Sequence, residues 1–565
     1  MLDFGYVSSN GQEPDLDELV SANLIAFDTE TSGVNIAKDH PYGLSLTANP
    51  ECAFYTGMDN RFFLDLLADE SVTKLIHNAP FDRAMLKKYG ITIDNLCDTM
   101  IAAHLLEEPR LSLEVLLKRY IKGKDLNIKF FKDYNKPIAQ STLQEMANHF
   151  GPHSSGTLAL WNVLQRELRA NGLWHVFWDI EMPAVPPISE MEINGFLIDV
   201  PYLKGLGDEY DRNIVELEGI LRDITRRPDC NFNSSDQAAD VIFEQFKVPK
   251  PPAHMKKLWT AGGRPSVDKE YLSQFTDKFP FLKYYIEYKF YRHLKDTYVT
   301  GILERLVDGR IHTNFNQTRT RTGRLSSTDP NLQNIPQRSK IGKQIRWAFI
   351  ASPDCTIVKA DMSQVELRKA ACLSNCIPML NAFREGRDIH METAVRAYGP
   401  NASRADGKTM NFKLVYGGGD AETQKILFDA YPQIKTWSDK MMVEFELFGY
   451  AKTDNGRRRH LGNFATMTNK ERAHGHREGL SLMNQGSCSE YLKGSMAKLH
   501  KHIRSTDTKM QLQVHDELVF NVPNKMLHDF IPMLRGDMLY DKLQIPMPAE
   551  ISTGANWGQT VEAED

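Results

Sequence analysis

QLQVHDELVF (residues 511–520) sets two neighbouring carboxylates, Asp516 and Glu517, between two runs of strand-forming residues. QLQVH and ELVFNV each read as a strand, so the chain must turn tightly at His515-Asp516-Glu517 and present acids at the tip of a hairpin. A further acid, Asp361, stands in TIVKADMSQVELRKAA, where a β-rich run meets a helix. A strand-end acid aimed at a hairpin-tip acid can hold two divalent cations roughly 4 Å apart for in-line phosphoryl transfer. Two acids on a surface hairpin are common, so a third stretch matters. In SRADGKTMNFKLVYGGG, Arg404, Lys408, Phe412 and Tyr416 recur every four residues, which puts them on one slowly drifting stripe of a helix. The stripe is cationic first and aromatic last. That order suits a nucleoside triphosphate, phosphates at the cations and sugar and base at the rings. The competing reading is an amphipathic helix with its aromatics in a core, which leaves the aligned cations unexplained.

A chain of 565 residues is too long for one core and is expected to split into domains. With 41% hydrophobic and 25% charged residues it has the composition of a folded, water-soluble protein. The opening residues lack a basic and an apolar region, and no apolar run of about 18 residues follows, which argues against secretion or membrane spanning and for a cytoplasmic location. Seven cysteines are scattered without a CxxC. Cys372 and Cys376, a turn apart on an expected helix, have no matching ligand pair, so reduced thiols are expected rather than zinc. A net charge of −5 argues against a protein that coats nucleic acid. Positive charge gathers instead in TRTRTGR (318–324), QRSKIGKQIR (337–346) and GRRRH (456–460), which are either phosphate contacts or solvated faces.

The first part alternates short apolar runs with helical stretches, the rhythm of an α/β domain, to about residue 175. From residue 176 long amphipathic segments follow, LKGLGDEYDRNIVELEGILRDI and FLKYYIEYKFYRHLKDTYVTGILERL, interrupted by a Pro-, Lys- and Gly-rich loop at 248–266.

DMSQVEL, RADGKTMNFKLVYG and QVHDEL resemble, in order, the three polymerase motifs of family A DNA polymerases; TGRLSSTDPNLQNIP (322–336) and MNQGS (483–487) resemble two further elements of that family. The resemblance spans nearly the whole chain. It implies a multidomain α+β and α/β protein: an RNase H-like exonuclease domain at 1–175, then a right-hand polymerase domain at 176–565. Thumb would cover about 200–300, palm about 301–380 and 480–565, and fingers about 381–479. Asp361 and Asp516 would carry two Mg2+ ions, with Mn2+ able to substitute, and Glu517 would stand beside them. Lys408 would act on the triphosphate as a proton donor to pyrophosphate. Arg404 and His390 would hold phosphates, Gln364 would contact the nucleotide, Phe412 would flank the sugar and Tyr416 would stack at the template base. Arg324, Arg477, Gln485, His515, Gln333 and Asn334 would touch primer–template DNA. Glu366 would abut the ribose 2′ position and exclude a hydroxyl, which selects deoxynucleoside triphosphates. A monomer is expected.

In the first domain IAFDTETSG and IHNAPFDRAML resemble the first two motifs of proofreading 3′–5′ exonucleases. They would supply Asp28, Glu30, Asn78 and Asp82, with Asp28, Glu30 and Asp82 as metal ligands. The third motif departs from the family pattern. HFGPHSSGT carries His149 and His153 where Tyr and Asp are usual, with Thr157 four residues on. An imidazole in place of a carboxylate weakens Mg2+ binding and suits manganese or zinc better. His149 would orient a water or simply pack. A weakened proofreader is the expectation.

Two departures lie near the nascent base pair. The stretch between Tyr416 and AYPQIKTW is short, so the fingers are expected to lack a helix, and Ser481 stands where relatives often have Asn. Both would leave room for a purine with an extra minor-groove amino group. Fewer than thirty residues precede Asp28, which leaves no 5′-nuclease domain and gives the layout of a phage replicase. A DNA-binding protein that had lost catalysis would show damage at Asp361, Asp516, Arg404 or Lys408, and all four are present.

Overall fold

The computed structural model describes residues 6–8, 16–121, 141–337, 339–416 and 421–563. Two sheets organise it. The first has six strands in the order Tyr6–Ser8, Cys52–Gly57, Pro41–Asn49, Leu24–Thr31, Thr73–Ile76 and Leu96–Asp98. The pairs from Tyr6–Ser8 through Leu24–Thr31 are antiparallel and the last two pairs are parallel. The long helix Leu143–Ala170 lies across it, and a single apolar core runs from Leu19 to Val185.

The second sheet has five antiparallel strands in the order Lys509–Val514, Glu517–Pro523, Cys355–Met362, Ala549–Asn556 and Gln559–Glu562. Alternation in CTIVKADM buries Val358, Ala360 and Met362 and leaves Asp361 open. The helix Ser487–Ile503 and the helix Leu527–Met538 pack on this half, whose core includes Met496, Phe520, Leu534 and Trp557. In chain order between the two sheets, Val200–Thr225 and Phe281–His293 pair as long helices. The 248–266 stretch has one short 3-10 turn, Lys256–Leu258. Within the described residues of 377–481 six helices of eight to seventeen residues, Ile377–Arg384, Ile389–Tyr398, Arg404–Tyr416, Ala421–Ala430, Pro432–Phe448 and Asn469–Ser481, surround smaller cores. One helix, Ala421–Ala430, occupies the short connection after Tyr416.

Buried ions fasten the two halves. Glu181 accepts hydrogen bonds from Lys493 Nζ at 2.7 and 2.8 Å and from Gln317 Nε2 at 2.6 Å, and pairs with Arg457. Glu190 meets Lys87 at 2.7 Å, Arg83 at 3.3 Å and His500 at 3.2 Å. These contacts correct the phosphate reading of GRRRH. Arg457 is buried between Glu181 and Glu490, Arg459 pairs with Glu478, and His460 pairs with Glu107. Cys372 lies in the helix Val365–Leu373 and Cys376 caps the next one, so they do not share a helix. No helix among the described residues is long and apolar enough to cross a membrane.

Candidate active site

The hairpin and the central strand bring the predicted acids together. Asp361 is in register with Glu517, and Met362 N donates to the Asp516 carbonyl at 3.1 Å. Asp361 and Asp516 line one cavity of about 520 Å3, together with Arg324, Gln364, Glu366, His390, Lys408, Asn411 and His515. That volume falls in the range of small-molecule sites, about 300–1,000 Å3. Two of its residues hold left-handed backbone without being glycine, Gln364 at φ 51° and His515 at φ 55°, the kind of local strain that collects at functional sites. Desolvation, followed by repulsion from Glu517, Asp516 and Glu550, raises the Asp361 carboxyl to about 7. Burial likewise raises Asp516, against the pull of Arg324. Arg324 pairs with Glu366 and lies 3.7 Å from Asp516.

The opposite wall comes from the helix Arg404–Tyr416, which opens on a reciprocal cap: Ser403 Oγ accepts from Asp406 N, and Asp406 accepts from Ser403 N at 3.0 Å. Gly407 lets this helix touch Ile389–Tyr398, since a Cβ there would stand 1.8 Å from the His390 carbonyl oxygen and 2.9 Å from Ala394 N. The close approach sets His390 beside Lys408. Asn411 Nδ2 donates to His390 Nδ1 at 2.8 Å, which leaves the His390 proton on Nε2. Burial, then Arg404, holds His390 below the ordinary histidine range.

In the other half, Asp28 and Glu30 alternate on the central strand Leu24–Thr31 and share a face. His153, on the helix laid across that sheet, places Nδ1 3.2 Å from Asp28 Oδ2 and 3.4 Å from Glu30 Oε1. The potential ligand atoms of the three lie within 4.8 Å of one another. Burial raises Glu30 to about 7; burial also opposes charge on His153, but the bonds to Asp28 and Glu30 outweigh it and push His153 to about 10. Asp82 is 2% exposed, and its Oδ1 accepts from Thr29 N at 3.0 Å and Thr29 Oγ1 at 2.6 Å.

Residues 200–559 match the family model for DNA polymerase family A, and residues 9–152 match the model for 3′–5′ exonuclease. The chain belongs to DNA polymerase family A. It is 31% identical over 598 aligned positions to DNA polymerase I of Chloroflexus aurantiacus, covering 96% of this chain and 62% of that protein. With DNA polymerase I of Borreliella burgdorferi the identity is 30%, over 96% of this chain and 63% of the relative. The thermostable DNA polymerase I of Thermus aquaticus is 33% identical, over 70% of this chain and 50% of its own length. The chain thus spans about three fifths of the length of the first two relatives. Among solved structures, the POL domain of Pol1 from M. smegmatis, in complex with DNA primer-template and dNTP, superposes with a TM-score of 0.86 at 26% identity, over 96% of this chain and 97% of that one.

Not every expected residue of this family A chain lines the cavity. Glu517 accepts from Trp557 Nε1 at 2.8 Å, lies 3.7 Å from Lys359, and is not among the cavity walls. Arg404 pairs with Asp388, which also caps the His390 helix through His390 N at 2.8 Å. Gln333 donates to Gln513 Oε1 at 2.8 Å, Asn334 accepts from Tyr298 through its carbonyl, and Gln485 is buried in the turn Leu482–Gly486. Arg477 lines a separate cavity with Lys413, Trp437 and Asn484. The Phe412 and Tyr416 side chains lie outside the described residues. In the exonuclease half Asn78 opens the Asp82 helix at φ 93°, and His149 packs edge-on against Phe150 at 4.9 Å, outside the triad. Sequence reasoning missed Asn411, Gly407 and Asp98. Asp98 caps two helices by accepting from Ala79 N at 2.7 Å and Met100 N at 2.7 Å.

The two donor sets differ in what they suit. Asp361 and Asp516 offer hard carboxylate oxygens that repel each other, which fits divalent magnesium or manganese. The exonuclease set fits a magnesium pair poorly, because one donor is an imidazole and Asp82 is committed to Thr29.

Proposed function

We propose that this chain is a template-directed DNA polymerase that adds deoxynucleotides to a primer 3′ end by two-metal phosphoryl transfer, and that its amino-terminal domain is a 3′–5′ exonuclease. The observation that carries the polymerase reading is the convergence of Asp361, Asp516 and Lys408 on one cavity. Primer-template and dNTP, present with the M. smegmatis protein, are carried over as substrates on the strength of the 0.86 TM-score. Divalent cations held by Asp361 and Asp516 would acidify the attacking 3′ hydroxyl and neutralise charge on the departing pyrophosphate.

The remaining work falls to the chain itself. Lys408 meets the triphosphate as a compact charge and donates a proton to the leaving pyrophosphate. His390, neutral and fixed by Asn411, donates Nε2–H to a phosphate oxygen. Glu366 fills the space beside the sugar and disfavours a 2′ hydroxyl. Arg324, bound to Glu366, turns toward the primer end once nucleotide displaces it. The relatives named above are bacterial, which supports action in a bacterial cytoplasm; the phage layout draws no support from them.

Primer extension with dNTPs, comparing wild type with Asp516→Ala in Mg2+ and in Mn2+, tests the reading. Extension by wild type and loss in Asp516→Ala are expected; equal extension by both would remove Asp516 from the chemistry. For the exonuclease, release of 3′ nucleotides from single-stranded DNA is measured for wild type and for Asp28→Ala. Faster release by wild type is expected, and equal release by the two proteins in both ions refutes that half.

A further inference from the structure

We infer that the exonuclease half binds a single first-row transition-metal divalent cation, with manganese(II) as its test ion, through Asp28, Glu30 and the imidazole of His153, in place of a magnesium pair. The inference rests on the exonuclease reading of the domain and changes its cofactor.

The spacing, charge, chemistry and rigidity of these side chains support it. The ligand atoms of Asp28, Glu30 and His153 already lie within 4.8 Å of one another, a spread that one ion at their centre can span. Once an entering cation has displaced the His153 proton, two carboxylates and a neutral imidazole carry two negative charges, matching one divalent cation. Nitrogen donors favour manganese, iron, cobalt or zinc over magnesium, which takes oxygen ligands and keeps its waters. The second ion of a pair would need Asp82, and that carboxylate spends Oδ1 on two bonds from Thr29 while 2% exposed. The donors are also held rigidly. Asp28 and Glu30 are paired with Ser45 and Gly43 of Pro41–Asn49, their strand is paired with Thr73–Ile76 up to Ala26, and His153 sits on a helix of 28 residues packed over it. His149, one turn earlier on that helix, packs on Phe150 and adds no fourth donor.

The same contacts would arise if His153 were a fixed counter-ion to two acids in a site that takes no metal. Manganese(II) titration of the full chain, followed by electron paramagnetic resonance with detection of nitrogen-14 coupling, separates the two. One ion per chain coupled to imidazole nitrogen is expected in wild type, with manganese displacing magnesium at least ~10-fold more effectively than it does in His153→Asp. His153→Ala should lose the coupling and at least ~10-fold in affinity, while His153→Asp, which keeps a ligand, should bind without it. Should no nitrogen coupling appear in wild type, or should it persist in both variants, the inference is overturned. The outcomes remain separable from the nuclease reading: a coupled ion without nucleotide release refutes the nuclease alone, and release without a coupled ion refutes this site alone.

Discussion

Arg324 and Glu366 close the floor of the polymerase cavity as an ion pair, with the Arg324 guanidinium also 3.7 Å from Asp516. On the proposed reading Glu366 contributes two separable properties, its bulk beside the sugar and its hold on Arg324. Glu366→Ala removes both, and ribonucleotide incorporation should rise roughly 10- to 200-fold, the discrimination a steric contact supplies. Glu366→Gln keeps the bulk and loses the charge, so it should reject ribonucleotides nearly as well as wild type. Single-nucleotide incorporation of matched rNTP and dNTP measures this, and equal selectivity in all three proteins would refute the gate.

Glu517 is bonded to Trp557 and Lys359, away from the cavity that holds Asp361 and Asp516. Glu517→Gln should keep turnover within about tenfold, because Gln can still accept the indole proton. Asp361→Asn and Asp516→Asn should each lose about 1,000-fold or more, since several kcal/mol of charge stabilisation go with the cation and each 1.4 kcal/mol is a factor of ten. Equal losses in all three variants, read from pre-steady-state primer extension, would put Glu517 among the groups that act directly.

Gly407 makes a different contribution, since it acts through backbone contact alone. An added methyl would strike the His390 carbonyl at 1.8 Å, so the helix carrying Lys408 must move away from the helix carrying His390. Overpacking of this kind costs about 1–3 kcal/mol, and here it would misalign Lys408 and His390, the two cavity residues proposed to meet the triphosphate. Gly407→Ala should raise the KM for dNTP at least tenfold while kcat changes less. Gly407→Ser, which adds the same Cβ, should behave alike; an unchanged KM in both would show that the two helices yield at no functional cost.

How much of this was legible in the sequence follows from what short patterns carry. The hairpin at 511–520 and the strand before Asp361 were readable because period-2 alternation and a tight turn are local, and the pairing of Asp361 with Glu517 then joined them. Lys408 of the cation stripe lines the cavity, yet Arg404 turned to Asp388, a partner sixteen residues away that helical spacing does not reveal. GRRRH misled for a similar reason: the partner of Arg457 is Glu181, 276 residues away. A glycine inside RADGKTMNF did carry a signal, because glycine weakens a helix interior and needs a packing reason to be there. Asp82 kept its place in the motif while its carboxylate was taken by Thr29, a bond that only the folded strand and helix together create.

The Glu181 cluster ties the segment that links the two sheets, residues 176–194, to the second half. Lys493 and Arg457 are nearly fully buried; Lys493 is paired with Glu181, and Arg457 is shared between Glu181 and Glu490. Burial opposes the charge on Glu181, but Lys493 and Arg457 outweigh it and hold the carboxyl at about 2. A carboxyl lowered on folding stabilises the fold above its unfolded value of about 4.5, and that stabilisation is lost as pH falls through about 2. Removing the acid leaves Lys493 without its buried ion-pair partner and Arg457 with Glu490 alone, which costs about 3–5 kcal/mol. Glu181→Gln should therefore unfold at lower urea than wild type at pH 7, and the gap should shrink by about 1.4 kcal/mol per pH unit between pH 4.5 and 2. Because Glu181 touches neither cavity acid, single-nucleotide incorporation by folded Glu181→Gln at 20 °C should stay near wild type. A gap that did not change with pH would mean that packing around residue 181, and not its charge, holds this segment to the second half.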